Sequence, residues 1–86
     1  MNYLHYEWND LTPENVIEVT LDKQANVRLL DGYNYRRYKN GESYEFKGGL
    51  AVKSPICLGV PGHGELHLVI DLEGYEGRVG ASVRVL

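Results

Sequence analysis

Hydrophobic residues recur at every second position through most of this chain, and that period restricts it to sheet structure. From Asn15 to Leu21, Ile17, Val19 and Leu21 fall on one face, and Val16, Glu18 and Thr20 on the other. An extended strand sends successive side chains to opposite faces, so this run makes a half-buried strand. The same period puts Leu4, Tyr6 and Trp8 inside a first strand, with Tyr3, His5 and Glu7 outside. Val27 and Leu29 line a third strand, Tyr44 and Phe46 a fourth, and Ile56, Leu58 and Val60 a fifth. Leu66, Leu68, Ile70 and Leu72 line a sixth, and Val79, Ala81, Val83 and Val85 a seventh. Helical periodicity is nearly absent. About seven short strands separated by turn-forming clusters predict an all-β domain, either a small antiparallel β-sandwich or a jelly-roll-like barrel.

The punctuation between strands supports this reading. Asp22-Lys23-Gln24-Ala25 is short enough for a hairpin between the second and third strands. Gly48-Gly49, Pro61-Gly62-His63-Gly64 and Glu73-Gly74-Tyr75-Glu76-Gly77 read as tight turns, because glycine tolerates the positive φ such turns require. Thr12-Pro13-Glu14 has the composition of one short helical turn, with Thr12 as cap and Pro13 at the first helical position. Asp31 to Gly41 is too long for a tight turn and too polar for a core strand, and reads as an ordered loop with room for a helical turn.

Eighty-six residues make one domain, 1–86, since two cores do not fit in this length. A chain this size buries only roughly 60–65% of the surface its unfolded form exposes, so its stability margin is thin unless it oligomerises. Nine Lys plus Arg against twelve Asp plus Glu give a net charge of −3, which argues against general nucleic-acid binding. No apolar run approaches the ~18 residues of a membrane span. The start Met1-Asn-Tyr-Leu-His5 lacks the basic and apolar regions of an export signal. The expected location is cytoplasmic, without a membrane partner. Cys57 is the sole cysteine, which excludes an internal disulfide framework.

Two stretches are candidates for a site. Between Asp31 and Gly41 the chain gathers Tyr33, Tyr35 and Tyr38 with Arg36, Arg37 and Lys39. Arginine forks take phosphate or carboxylate bidentately and tyrosine rings stack on bases or sugars, so this loop suits an anionic, nucleotide-like ligand or an acidic partner. The competing reading is a capping loop whose tyrosines cover the open end of the sandwich. The second stretch is His63-Gly-Glu-Leu-His67. On a strand, His63, Glu65 and His67 project to one face, where two imidazoles and a carboxylate suit a divalent metal, with His5 joining from another strand. Against this, Gly64 can turn His63 away, leaving a solvated strand face. Cys57 has no electropositive neighbour nearer in sequence than Lys53, and no oxyanion-hole or phosphate-cradling motif accompanies it. The sequence makes no case for catalysis or a cofactor. Leu30, Val69 and Leu86 fall on nominally outward faces, where they suit packing against a second copy or another domain, unless the sheet coils over them.

The run Glu18-Val-Thr-Leu-Asp-Lys-Gln-Ala-Asn-Val-Arg-Leu-Leu-Asp31 closely resembles the bacterial DUF1883 family. Asn34-Tyr35 with Tyr38, Gly48-Gly-Leu50, Ser54-Pro55 and Val60-Pro61 extend the resemblance, as do Gly62-His63, His67-Leu-Val-Ile-Asp-Leu72 and Ala81-Ser-Val-Arg-Val85. With Met1-Asn-Tyr-Leu-His-Tyr6 at its start, the likeness covers nearly the whole chain. It implies a small β-sandwich of unassigned function. Related domains beside Toll/interleukin-1 receptor domains imply a sensing or interaction module, and no catalytic residue. The leading expectation is therefore a non-enzymatic binding module acting through a protein partner or as a homodimer. Binding of an anionic small molecule through Tyr33, Tyr35, Arg36, Arg37, Tyr38 and Lys39 is the alternative. A cupin-like metal site on His63, Glu65 and His67 is the third reading.

Overall fold

The element order along the chain is β1 (Tyr3–Trp8), β2 (Val16–Leu21), β3 (Ala25–Asp31), α1 (Gly32–Lys39), β4 (Lys47–Ala51), β5 (Ile56–Gly59), β6 (Leu66–Asp71) and β7 (Ala81–Val85). The structure is a computed structural model that describes residues 3–72 and 77–86. Residues 73–76 of the turn expected at 73–77 lie outside the described residues. The strands form two antiparallel sheets, one in the order β1-β6-β3-β4 and the other β5-β2-β7. The sheets face each other across one core, so the chain is an all-β sandwich.

The period-two residues are what fill that core. Ile17, Val19, Val27, Leu29, Leu68 and Ile70 are buried, and Leu4, Tyr6, Trp8, Leu21, Ile56, Leu58, Leu72, Val79, Ala81 and Val83 pack around them. A fully buried aliphatic side chain contributes about 1.5–3 kcal/mol through loss of contact with water, so these positions hold the sheets together. Strand β6 departs from half-burial, because all six of its residues are buried. Its inner residues meet the second sheet, and its outer ones lie under α1.

That helix is the largest difference from expectation. The Asp31–Gly41 stretch forms two turns of helix rather than a loop. It lies on the outer face of the four-stranded sheet, not over an end of the sandwich. Asp31 caps it, its carboxylate accepting from the Asn34 N–H at 2.8 Å. Arg36, Arg37 and Lys39 sit in its last turn, where their charge suits the carbonyl end. Eight residues are too few for a helix to persist alone, so docking holds it. Gly32, Tyr35 and Tyr38 face inward, and the two tyrosines pack with Leu30 and Val69. The outward Leu30 and Val69 are thus covered by the chain's own helix, while Leu86 stays exposed.

Three shorter segments also differ. β2 and β3 lie in different sheets, so residues 22–24 cross the sandwich instead of closing a hairpin. Asp22 is held to the start of β7 by two bonds with Gly80, accepting from its N–H at 2.8 Å and donating its own N–H at 3.0 Å. The fourth strand begins at Lys47 and runs through Gly48-Gly49, which are strand residues rather than a turn. Tyr44 instead packs against the helix cluster, and Phe46 lies exposed with the Arg28 guanidinium 5.3 Å from its ring centre. Residues 12–15 close a single hydrogen-bonded turn, Asn15 N–H to Thr12 C=O at 2.9 Å, rather than a helical turn.

Candidate functional site

The polar residues of interest collect on the outer face of the four-stranded sheet, beside and beneath α1. Alternation sends His5 and Glu7 of β1, His67, Val69 and Asp71 of β6, and Arg28 and Leu30 of β3 to this face. Register pairs Glu7 directly with His67 across the β1–β6 ladder, with His5 one diagonal step away.

One group is structural. Asp71 is 2% exposed, and its Oδ2 accepts from Arg28 Nη1 at 3.0 Å and from the Tyr38 hydroxyl at 2.5 Å. Burial, then the hydrogen bond to Asp71, pushes the Tyr38 hydroxyl far above its ordinary range. A buried carboxylate needs this much satisfaction, since its desolvation otherwise costs several kcal/mol. The triad joins helix to sheet.

The other group carries chemistry. The Glu65 carboxylate lies 2.5 Å from His67 Nε2. Gly32 admits it, because a Cβ there falls 2.5 Å from Glu65 Oε1. A carboxylate only accepts, so His67 Nε2 carries the hydrogen and Nδ1 is left to face His5. His67 Nδ1 and His5 Nε2 are 2.8 Å apart, with ring centres at 5.0 Å and planes within 12°. That centre separation nearly equals the N···N distance plus the two centre-to-nitrogen radii, so the nitrogens face each other along one line and share one hydrogen. Tyr35 lies flat over both imidazoles, its ring centre 4.4 Å from that of His5 and 4.1 Å from that of His67. The Tyr35 hydroxyl meets that of Tyr3 at 3.0 Å. Burial and that bond push it up to about 12.

The electrostatics follow from these contacts. Desolvation, then the neighbouring His67 and more distantly Lys39, lowers the His5 pKa against the opposing pull of Glu7. The bond to His67 lowers the Glu65 pKa. One nitrogen of each imidazole and a Glu7 carboxylate oxygen all lie within 4.8 Å of one another. A His/His/carboxylate set of this kind suits a divalent transition metal.

The expected metal trio therefore separates. His67 and Glu65 are bonded and His5 joins them, but His63 is exposed in the turn where Gly64 adopts φ +104°. Glu7 takes the place expected of Glu65. The sequence held the signal for it, since Glu7 follows His5 by two residues on the same outward face.

The tyrosine–arginine stretch separates as well. Tyr35 and Tyr38 turn inward, and the Lys39 ammonium lies 4.8 Å from the Tyr35 ring centre. Tyr33 and Arg37, one turn apart, line a shallow groove with Asn34, Ser43, Tyr44 and Glu45. Arg37 donates there to the Ser43 carbonyl and pairs with Glu42 at 3.5 Å. Arg36 is exposed on the helix flank facing Glu65, and Cys57 is exposed on β5. Among the described residues no helix is long and apolar enough to cross a membrane.

No curated protein and no solved structure matches this chain. A family model described as a domain of unknown function, DUF1883, matches residues 1–86, and the chain belongs to that family.

Proposed function

We propose that this domain is a non-enzymatic binding module that works through protein–protein contact, and that the partner of its β4 edge is a second copy of the chain. The observation that carries the reading is the self-complementary sequence along this edge. Among the described residues β4 pairs with β3 alone, so its other side offers a row of backbone donors and acceptors. Phe46, Leu50 and Val52, at 46%, 60% and 63% exposure, fall in β4 and immediately beyond its two ends. A lysine often guards such an edge, but the Lys47 ammonium is bonded to the Gly59 carbonyl at 3.0 Å.

A two-fold axis through Gly49 sets residue 45 opposite 53, 46 opposite 52, and 48 opposite 50. Glu45 then meets Lys53, Phe46 meets Val52, and Leu50 lies over the missing side chain of Gly48. An antiparallel strand pair about a two-fold is the isologous contact by which most homodimers close. The charge pair adds little energy at an exposed rim, but it fixes register and disfavours other partners.

The anionic-ligand reading has less support. Arg37 is already shared between Ser43 and Glu42, and the Tyr35 and Tyr38 rings are covered.

Sedimentation equilibrium over a range of concentrations tests the dimer. Wild-type protein is expected to self-associate, Lys53→Glu to weaken association by several fold, and Glu45→Lys combined with Lys53→Glu to restore it. A wild-type chain monomeric at every concentration, or a double variant no better than the single, overturns the reading.

A further inference from the structure

The strongest unassigned chemistry lies at the other edge of the same sheet, and it stands independently of the β4 contact. We infer that His5, Glu7 and His67 form a binding site for a first-row divalent metal ion of the zinc class, with Glu65 holding His67 in the ligating tautomer. Four features support it. Two imidazole nitrogens and a carboxylate oxygen lie within 4.8 Å of one another. They come from facing positions of a paired ladder, Glu7 opposite His67, so rigid strands position them. Glu65 takes the His67 Nε2 hydrogen, the carboxylate–histidine arrangement that orients metal-ligating imidazoles and raises their basicity. Tyr35 covers the ring faces and limits water access from the helix side.

The donor set narrows the ion. Two imidazoles and one carboxylate are borderline ligands, suited to zinc and its neighbours and poorly suited to calcium or magnesium, which prefer all-oxygen shells. Three protein ligands leave a fourth position for water or an anionic group. The 2.8 Å between the two nitrogens is that of a shared hydrogen. On a tetrahedral zinc with bonds of about 2.0–2.1 Å, two nitrogens stand about 3.3 Å apart. The pair must therefore open by about half an ångström and the rings tilt off their common line. His5, exposed on an edge strand, has room for that movement, while His67 is fixed by burial and by Glu65. The ion takes the place of the hydrogen between the rings, and neutral His5 then carries its hydrogen on Nδ1.

The test uses the full chain, dialysed against zinc and then against metal-free buffer, with bound metal read by elemental analysis and ligand geometry by the visible spectrum of the cobalt(II) form. One zinc per chain and an intense tetrahedral cobalt spectrum are expected. His5→Ala, a substitution at an exposed position, should abolish both while leaving the far-ultraviolet circular dichroism unchanged. Glu7→Gln should weaken zinc at least tenfold, and Glu65→Gln by 10–100-fold, the range usual for an orienting carboxylate. His63→Ala should bind as wild type. No stoichiometric zinc in the wild-type chain overturns the site, and so does a loss of zinc in His63→Ala with retention in His5→Ala.

Discussion

At the scale of single residues, Tyr38 shows how one side chain can join two layers. Its ring packs on Leu30 and Val69, and its hydroxyl donates to the buried Asp71. A hydrogen bond to a charged acceptor contributes about 1.5–3 kcal/mol, so Tyr38→Phe should lower stability by that order at neutral pH. Its titration makes the effect pH-dependent. The folded-state pKa lies above the unfolded value of 10.0. The folded state therefore holds the proton more tightly. The contribution is complete below the unfolded pKa and is lost as pH rises toward the folded one. Melting temperatures of wild type and Tyr38→Phe, followed from about pH 8 to about pH 12, should converge as Tyr38 ionises in the unfolded wild type while the folded state still holds its proton. Tyr35, also raised, titrates in both proteins and leaves the difference to Tyr38. Parallel curves would remove Tyr38 from the account. Alternation placed Asp71 on the outer face, but its burial was not legible, because the cover comes from a helix the sequence hardly announces. His5 and His67 were legible as outward histidines on separate strands; that they meet depends on β1 and β6 being neighbours, which no local pattern encodes.

Elements differ in how much of themselves they write into sequence. β2, β3 and β6 carry an apolar residue at every second position, and the structure places those inner residues in the core. α1 does not, since only Gly32, Tyr35 and Tyr38 of its eight residues face inward and tyrosine serves loops as readily as helices. The end signals of α1, an aspartate at the cap and basic residues in the last turn, come without an apolar stripe of helical period. The β2–β3 link shows a second limit: period two fixes which face a residue occupies but not which strand lies beside it, so a short connection reads equally as hairpin or crossover. Glycine misled at β4 for a different reason. Gly48 has φ +115° and approaches β3 so closely that a Cβ falls 2.3 Å from the Val27 carbonyl oxygen, whereas Gly41, with φ +73°, has nothing within 4 Å. Both substitutions by alanine incur the left-handed penalty of about 1–2 kcal/mol. Only Gly48→Ala must also push β4 away from β3. Urea denaturation should therefore show Gly48→Ala losing clearly more stability than Gly41→Ala. Equal losses would mean that β4 shifts freely, and that its pairing with β3 is looser than the register implies.

For the whole molecule, strand order decides whether the two proposed surfaces speak to each other. β1 and β4 are the opposite edges of the four-stranded sheet, with β6 and β3 between them. At about 4.7–4.9 Å per strand, three spacings separate the edges by about 14 Å. Substitutions farther apart than about 7–10 Å without shared partners usually add within about 0.3–0.5 kcal/mol. His5 and Leu50 share none: His5 touches His67, Tyr35 and Tyr3, while Leu50 is exposed opposite Asn26. The intervening strands offer no second arrangement, since β6 is buried along its whole length and Val27 and Leu29 are locked in the core. Coupling needs an element with two states that both sites bias, and a fully packed pair of central strands is a poor one. A bound ion stabilises the fold by RT ln(1 + [L]/Kd), and that increment should be identical for monomer and dimer. The zinc-induced rise in melting temperature is therefore expected to be unchanged by Leu50→Lys. The association constant measured by sedimentation is likewise expected to be the same with and without zinc. A several-fold change in association on adding zinc would show that the sheet transmits strain from edge to edge, and metal would then control assembly instead of merely sharing the fold with it.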